Sequence, residues 1–126
     1  MADAARRYAD EVWNGRNMDA CDEIFTDDHV YHDPLLPDIP NGPEGVKQRV
    51  GIYVGAIPDA RLTEDEWVET GDRVLLRGTW GGNKSASTTG MHFFHMRDGK
   101  IAETWVHFDA VGFLTQLGLV KIGPQD

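Results

Sequence analysis

Apolar residues recur at helical spacing through the first fifteen positions. Ala5, Tyr8 and Val12, with Trp13 beside them, predict a helix over 2–15 that Asn14-Gly15 interrupts. Cys21, Ile24 and Phe25 form the stripe of a second short helix over about 18–25, with Asn17 or Asp19 placed to cap it. The segment DHVYHD predicts a strand over 28–33, ended by Pro34, which cannot donate to a ladder. Pro34, Pro37, Pro40 and Gly42 make the following stretch a loop. Pro43 suits the first position of a third helix, whose face is Val46, Val50, Tyr53, Val54 and Ile57 and whose stop is Pro58.

The second half of the chain changes period. Strands are predicted over 60–70, 73–80, 86–97 and 100–108, separated by turns at Gly71-Asp72, Gly81-Gly82-Asn83-Lys84 and Asp98-Gly99. A last helix over 109–117 has Asp109 as its cap and Gly118 as its stop. Helical hairpin, short strand, long helix, then a four-stranded meander is an α+β plan with the helices gathered on one face of a curved sheet. No repeat or linker divides it, so residues 1–126 read as a single domain.

The turn near Gly99 decides which side chains share a face. A three-residue loop at Arg97-Asp98-Gly99 pairs Met96 with Lys100, sets His92 opposite Thr104 and sets Phe94 opposite Ala102. A two-residue loop shifts the pairing by one. The first arrangement is preferred, because it gathers His92, Phe94, Met96, Thr104 and Val106 on one mostly apolar face. His95 and His107 then fall on the opposite face, and His29 reads as a solvated residue at a strand start.

Composition narrows the function classes. Twenty-one Asp and Glu against twelve Lys and Arg give a net charge of −9, which repels phosphate backbones and anionic membranes. Nucleic acid and membrane are therefore not expected partners. The single cysteine makes no internal disulfide, and no Cys/His spacing matches a zinc site. Met1-Ala2-Asp3-Ala4 runs into Arg6-Arg7 rather than an apolar stretch, so no leader is read and a cytoplasmic location is expected.

Three segments carry a family resemblance: IFTDDHVYHDPL at 24–35, PEGVKQ at 43–48 and DGKIAETWVHFDAVGFLTQLGL at 98–119. With the element order, they resemble the NTF2-like superfamily, a cone of helices over a strongly bent, mostly antiparallel sheet. Within it the chain is most similar to the SnoaL-like polyketide cyclases. The resemblance implies an apolar small-molecule ligand in the cone, a homodimer formed through the backs of the sheets, and no cofactor, since the substrate carbonyl is its own electron sink. Phe93, His95, Glu103, Trp105 and His107 form the outward set that such a dimer would use.

The resemblance also implies site residues. His92 matches a histidine that the cyclases carry on this strand. Asp33-Pro34 resembles the Asp-Pro pair that supplies the base of ketosteroid isomerases, and Tyr8 falls near the place of their tyrosine donor. Tyr8, Asp33 and His92 are thus the candidate constellation, with one carboxylate to remove a proton alpha to a carbonyl and two donors for the enolate oxygen. His32 is a further candidate; a regular strand lets only one of His32 and Asp33 face the cone. Phe94, Met96, Thr104, Val106 and Tyr53 are expected to line the pocket. The cyclases place an aspartate directly after the strand tryptophan, where this chain has Val106. That departure favours a role for Asp33 or His92, or a non-catalytic binding module. A metal site at His32, Asp33 and His92 is a minor alternative, and no metal is expected.

Overall fold

The first helix forms where its apolar spacing predicts, but it winds in two ways. A computed structural model describes residues 2–82, 86–121 and 123 of the protein. Asp3–Arg7 is α-helical (α1) and Tyr8–Asn14 continues it as a π-helical stretch. There the Gly15 N–H donates to the Asp10 carbonyl at 2.9 Å, a step of five residues. The wider turn puts residues five apart on one face. Tyr8 and Trp13 are therefore both buried, with ring centroids 6.1 Å apart.

A 3₁₀ turn at Met18–Ala20 leads into the short helix α2, Cys21–Ile24. Asn17 takes the capping position of that turn without a side-chain hydrogen bond. Strand β1 is Phe25–His32 and starts three residues before its predicted edge, because Phe25 already pairs with Ile101. Helix α3, Pro43–Ala56, opens with the proline as expected. Its first turn lies hard against the preceding loop: a Cβ on Gly45 would sit 1.7 Å from the Pro40 carbonyl oxygen. This close approach, open only to glycine, sets where α3 delivers Arg49 and Tyr53.

Strands β2 (Arg61–Thr70), β3 (Arg73–Gly81), β4 (Ser87–Arg97) and β5 (Lys100–Phe108) form the meander. The sheet order is β1-β5-β4-β3-β2, with β1 parallel to β5 and the other pairs antiparallel. The predicted turn residues Asn83 and Lys84 lie outside the described residues. Helix α4, Ala110–Gln116, is capped by Asp109, whose Oδ1 accepts from the Gly112 N–H at 2.9 Å. Gly118, at φ 75°, follows as its stop.

The β4–β5 register corrects one expectation. The turn has two residues, not three: Asp98 (φ 53°) and Gly99 (φ 78°) are both left-handed, and Arg97 pairs with Lys100. Aspartate tolerates that conformation, and Asp-Gly favours such a tight hairpin. A bulge then inserts one extra residue on β5, so that Met96 pairs with Ile101 but His95 with Glu103. One inserted residue restores the parity that the longer loop would have given. His92 ends opposite Val106, and Phe94 opposite Thr104, so these four share a face as expected, on different pairings. Ile101, outward by strict alternation, is fully buried.

The inner face of the sheet packs under the helices. Ile24, Phe25, Val46, Val50, Leu76, Phe94 and Ile101 are all buried in one cluster, each contributing about 1.5–3 kcal/mol by leaving water. The outer face carries a row in register across all five strands: Val68, Leu75, Phe93, Trp105 and His32. Phe93 is 39% exposed and Val68 45% exposed. Among the described residues, no helix is long and apolar enough to cross a membrane.

Candidate functional site

Between α3, the π-helical stretch and the inner sheet lies a hollow of about 60 Å³. Aromatic rings from five elements wall it: Trp13 from the π-helical stretch, Tyr53 from α3, Trp80 from β3, Phe108 from β5 and Phe113 from α4. They meet edge to face or tilted, with Trp13 and Trp80 centroids 5.5 Å apart and Trp80 and Phe113 5.7 Å apart. Such contacts hold large rings in fixed orientations. Four groups able to take part in proton chemistry line the hollow: Tyr31, Asp33, Tyr53 and His92.

His92 reaches the hollow from the middle of β4, between Leu76 on β3 and Val106 on β5. Its ring stacks along Phe94 at 5.7 Å and meets the edge of Tyr8 at 6.0 Å. Among the described residues, no side chain or backbone group hydrogen-bonds its ring nitrogens. Burial disfavours the charged form and pushes its pKa down to about 4, while the Asp33 charge acts the other way. At neutral pH it is a neutral imidazole with unengaged nitrogens, facing a cavity.

Asp33 follows β1 at the inward phase of its alternation, His29 and Tyr31 preceding it on the same side. Both oxygens of its carboxylate accept from protein donors. Oδ1 accepts from the Leu35 N–H at 2.8 Å, closing a turn over Pro34. Oδ2 accepts from the Tyr53 hydroxyl at 2.8 Å and forms an ion pair with Arg49 Nη1 at 3.0 Å. The ion pair is almost dry: both side chains are 1% exposed. Arg49 also donates to the Leu36 carbonyl at 2.9 Å and lies over the Tyr31 ring at 4.3 Å.

Tyr8 sits one layer behind the hollow and does not line it. Its hydroxyl and that of Tyr31 share a hydrogen bond of 2.9 Å, and burial pushes both phenols above their ordinary pKa. Of these two phenols Tyr31 lines the hollow. His32 is not brought to the hollow. It stands on the outer face, bonded to Glu103 at 2.6 Å and stacked on Trp105 at 5.1 Å, because the strand stays regular to its end. Consequently no metal site joins it to Asp33 and His92, and among the described residues no three metal-ligating side chains cluster.

Of the expected lining residues, Tyr53 and Val106 face the hollow. Phe94, Met96 and Thr104 share its sheet face but are packed into the core beneath it. His29 is corrected outright. It is buried, not solvated, and its Nε2 pairs with the Thr104 hydroxyl at 2.8 Å. Burial and then the nearby Arg49 charge lower its pKa to about 3. His95 and His107 lie on the outer strand positions as expected, with His95 bonded to Asp72 at 3.0 Å.

The residue that sequence reasoning missed is Arg49. A signal was present, since it stands three residues after Val46 and four before Tyr53, on the apolar stripe of α3. A cation on a buried stripe requires a carboxylate partner. The lining role of Trp13, Trp80, Phe108 and Phe113 was missed too, because an aromatic on an inner face reads equally well as core.

The architecture recurs in solved structures. A candidate polyketide cyclase from Bacillus cereus ATCC 10987 matches 94% of this chain and 80% of its own at 25% identity, with a TM-score of 0.81. IdmH, a candidate polyketide cyclase from Streptomyces antibioticus, matches at 24% identity over 93% of this chain and 97% of its own, TM-score 0.76. A protein of ketosteroid isomerase-like fold from Catenulispora acidiphila DSM 44928, in complex with trimethylamine, matches at 21% identity over 94% of each chain, TM-score 0.80. No curated protein sequence matches the chain. The SnoaL-like polyketide cyclase family model matches residues 2–117. With that match over nearly its whole length and the bent mixed sheet under its helices, this chain belongs to the SnoaL-like polyketide cyclase family.

Proposed function

We propose that the protein is a small cyclase or isomerase that moves a proton on an apolar, carbonyl-bearing molecule without a cofactor. The observation that carries this is His92, a half-buried neutral imidazole with free nitrogens in an aromatic hollow that Asp33 also lines. A neutral imidazole removes a proton alpha to a carbonyl, and the carboxylate nearby stabilises the imidazolium that forms. Tyr31, backed by Tyr8, stands in the same wall as a hydroxyl donor for the developing enolate oxygen. The donor assignment passes from Tyr8 to Tyr31 in this reading because Tyr8 does not reach the hollow. The hollow is small, about 60 Å³, so it takes the carbonyl end of a ligand and leaves a larger body at the mouth.

The test is proton exchange, which needs no knowledge of the product. Carbonyl compounds with acidic alpha protons are incubated in D₂O with protein, and deuterium uptake is read by NMR or mass spectrometry. Uptake that falls by two or more orders of magnitude in His92→Ala supports the reading; equal uptake by wild type and His92→Ala ends it.

A second reading keeps the hollow and drops the chemistry. Val106 lies in the cavity wall where family members carry an acid, and valine transfers no proton. On this reading the protein binds an apolar small molecule only. Saturable binding by calorimetry with no exchange across the panel is its signature.

The outer row of Val68, Leu75, Phe93, Trp105 and His32 supports a homodimer through the sheet backs, as the family resemblance implies. Light scattering of wild type and Phe93→Arg tests it: a dimer that becomes a monomer is expected, and a wild-type monomer at micromolar concentration contradicts it.

A further inference from the structure

We propose that Arg49 is a positioning residue that divides the roles in this site, holding Asp33 as a standing anion so that His92 carries the proton. The inference rests on the proton-transfer reading above, and it concerns a residue that does not line the hollow.

Two donors and one cation face Asp33: the Leu35 N–H and the Tyr53 hydroxyl donate to it, and Arg49 Nη1 stands against it in an ion pair. An ionised carboxylate is an acceptor only, and each oxygen of Asp33 accepts one hydrogen bond while Oδ2 also faces the guanidinium. A guanidinium does not give up its charge in proteins. Protonating Asp33 would therefore leave a cation 3.0 Å away, buried to the same degree and without its anion. Uncompensated buried charge is among the costliest arrangements a protein can hold. Arg49 is itself fixed, by the Leu36 carbonyl in front and the Tyr31 ring beneath. It cannot swing away to let Asp33 take a proton.

His92 is surrounded differently. Its ring meets Tyr8 and Phe94, and the other titratable groups that line its hollow are Tyr31, Asp33 and Tyr53. Its partners on β3 and β5 are Leu76 and Val106, which carry no charge. Nothing in the described structure bonds its nitrogens, and Asp33 is the one group that favours its protonated form. Arg49 and Asp33 together form a nearly neutral unit, so the pull on His92 is moderate and the imidazole starts the reaction neutral. Remove the Arg49 charge and Asp33 becomes an uncompensated buried anion. The Asp33–His92 pair then takes up a proton in the neutral range, on one member or shared between them.

The experiment follows the His92 ring nitrogens and the Asp33 carboxyl carbon by NMR in the intact chain, from pH 8 to pH 5.5. In wild type His92 takes up no proton over this range. In Arg49→Met one proton enters the Asp33–His92 pair, moving the titration of the pair up by about two pH units. Arg49→Gln keeps a donor for Asp33 while removing the charge, and it is expected to do the same. In the double variant Arg49→Met, Asp33→Asn both charges are gone and His92 again stays neutral. A folded Arg49→Met or Arg49→Gln whose pair takes up no proton overturns the proposal, as does wild type in which the pair titrates within the range. Activity adds a separate readout: the exchange rate of Arg49→Gln acquires a pH dependence near neutrality that wild type lacks. If no carbonyl compound exchanges at all, the proton-transfer reading fails while the titrations still decide what Arg49 does to the pair.

Discussion

His92 and His32 stand on opposite faces of one sheet, and the difference between those faces sets their chemistry. His92 faces inward, stacked on Phe94, with no hydrogen bond from the described structure and a pKa pushed down by burial. His32 faces outward, half-exposed, paired with Glu103 and stacked on Trp105. Each lies near a carboxylate. Asp33 is dry, held by two donors and balanced by Arg49, whereas Glu103 and its imidazole partner are open to solvent. Charge is costly and directional on the inner face, while solvent screens it on the outer face. Sequence chemistry alone, a histidine beside a carboxylate, reads the same in both places.

That contrast yields experiments of decreasing effect. The largest is on turnover. His92→Ala is expected to lower deuterium exchange by about 10²- to 10⁴-fold, the usual contribution of a positioned acid or base, and His32→Ala to leave it unchanged. Equal losses in the two variants would erase the distinction between the faces.

Next comes stability. Asp33→Ala strands the Arg49 guanidinium in the interior and should cost about 3–5 kcal/mol by urea unfolding. Glu103→Ala breaks the outer pair and should cost less than about 1 kcal/mol. Similar values for both would mean that the inner pair is wetter than its 1% exposure indicates.

A smaller effect is the dependence of stability on pH. His92 and His29 have folded pKa values lowered to about 4 and about 3, against about 6.5 when unfolded. Below pH 6.5 the unfolded chain therefore binds protons that the folded chain does not. Their contribution is complete above pH 6.5 and is lost progressively as pH falls toward 4 and then 3. Urea midpoints are expected to drop between pH 7 and pH 5 in wild type and less steeply in the His29→Gln, His92→Gln double variant. Identical slopes would show that neither histidine is buried neutral.

Much of the plan was legible in the chain. Pro43, Asp109 and Gly118 marked helix ends correctly, because each acts through a local backbone rule that needs no tertiary partner. The face of His92 was also readable, though by a compensating error. The hairpin has the shorter turn, and a β5 bulge that no local signal announces corrects the parity. The choice between His32 and Asp33 had to wait for the structure, since Pro34 leaves open whether alternation persists to the strand end. Tyr8 shows the opposite limit: its helix and inward phase were evident, but the π-helical winding that sinks it behind Tyr31 is not written in spacing. Arg49 escaped notice because a periodicity argument collects apolar residues and passes over a charge on the same stripe.

The most direct check of the account is the titration of His92 itself in wild-type protein, read from its ring ¹⁵N shifts. The expected result is a neutral imidazole from pH 8 to pH 5.5, with protonation only near pH 4. A His92 that titrates at the ordinary value of about 6.5 would mean that the ring is in contact with bulk water, and the inner face would then hold no dry site for proton transfer.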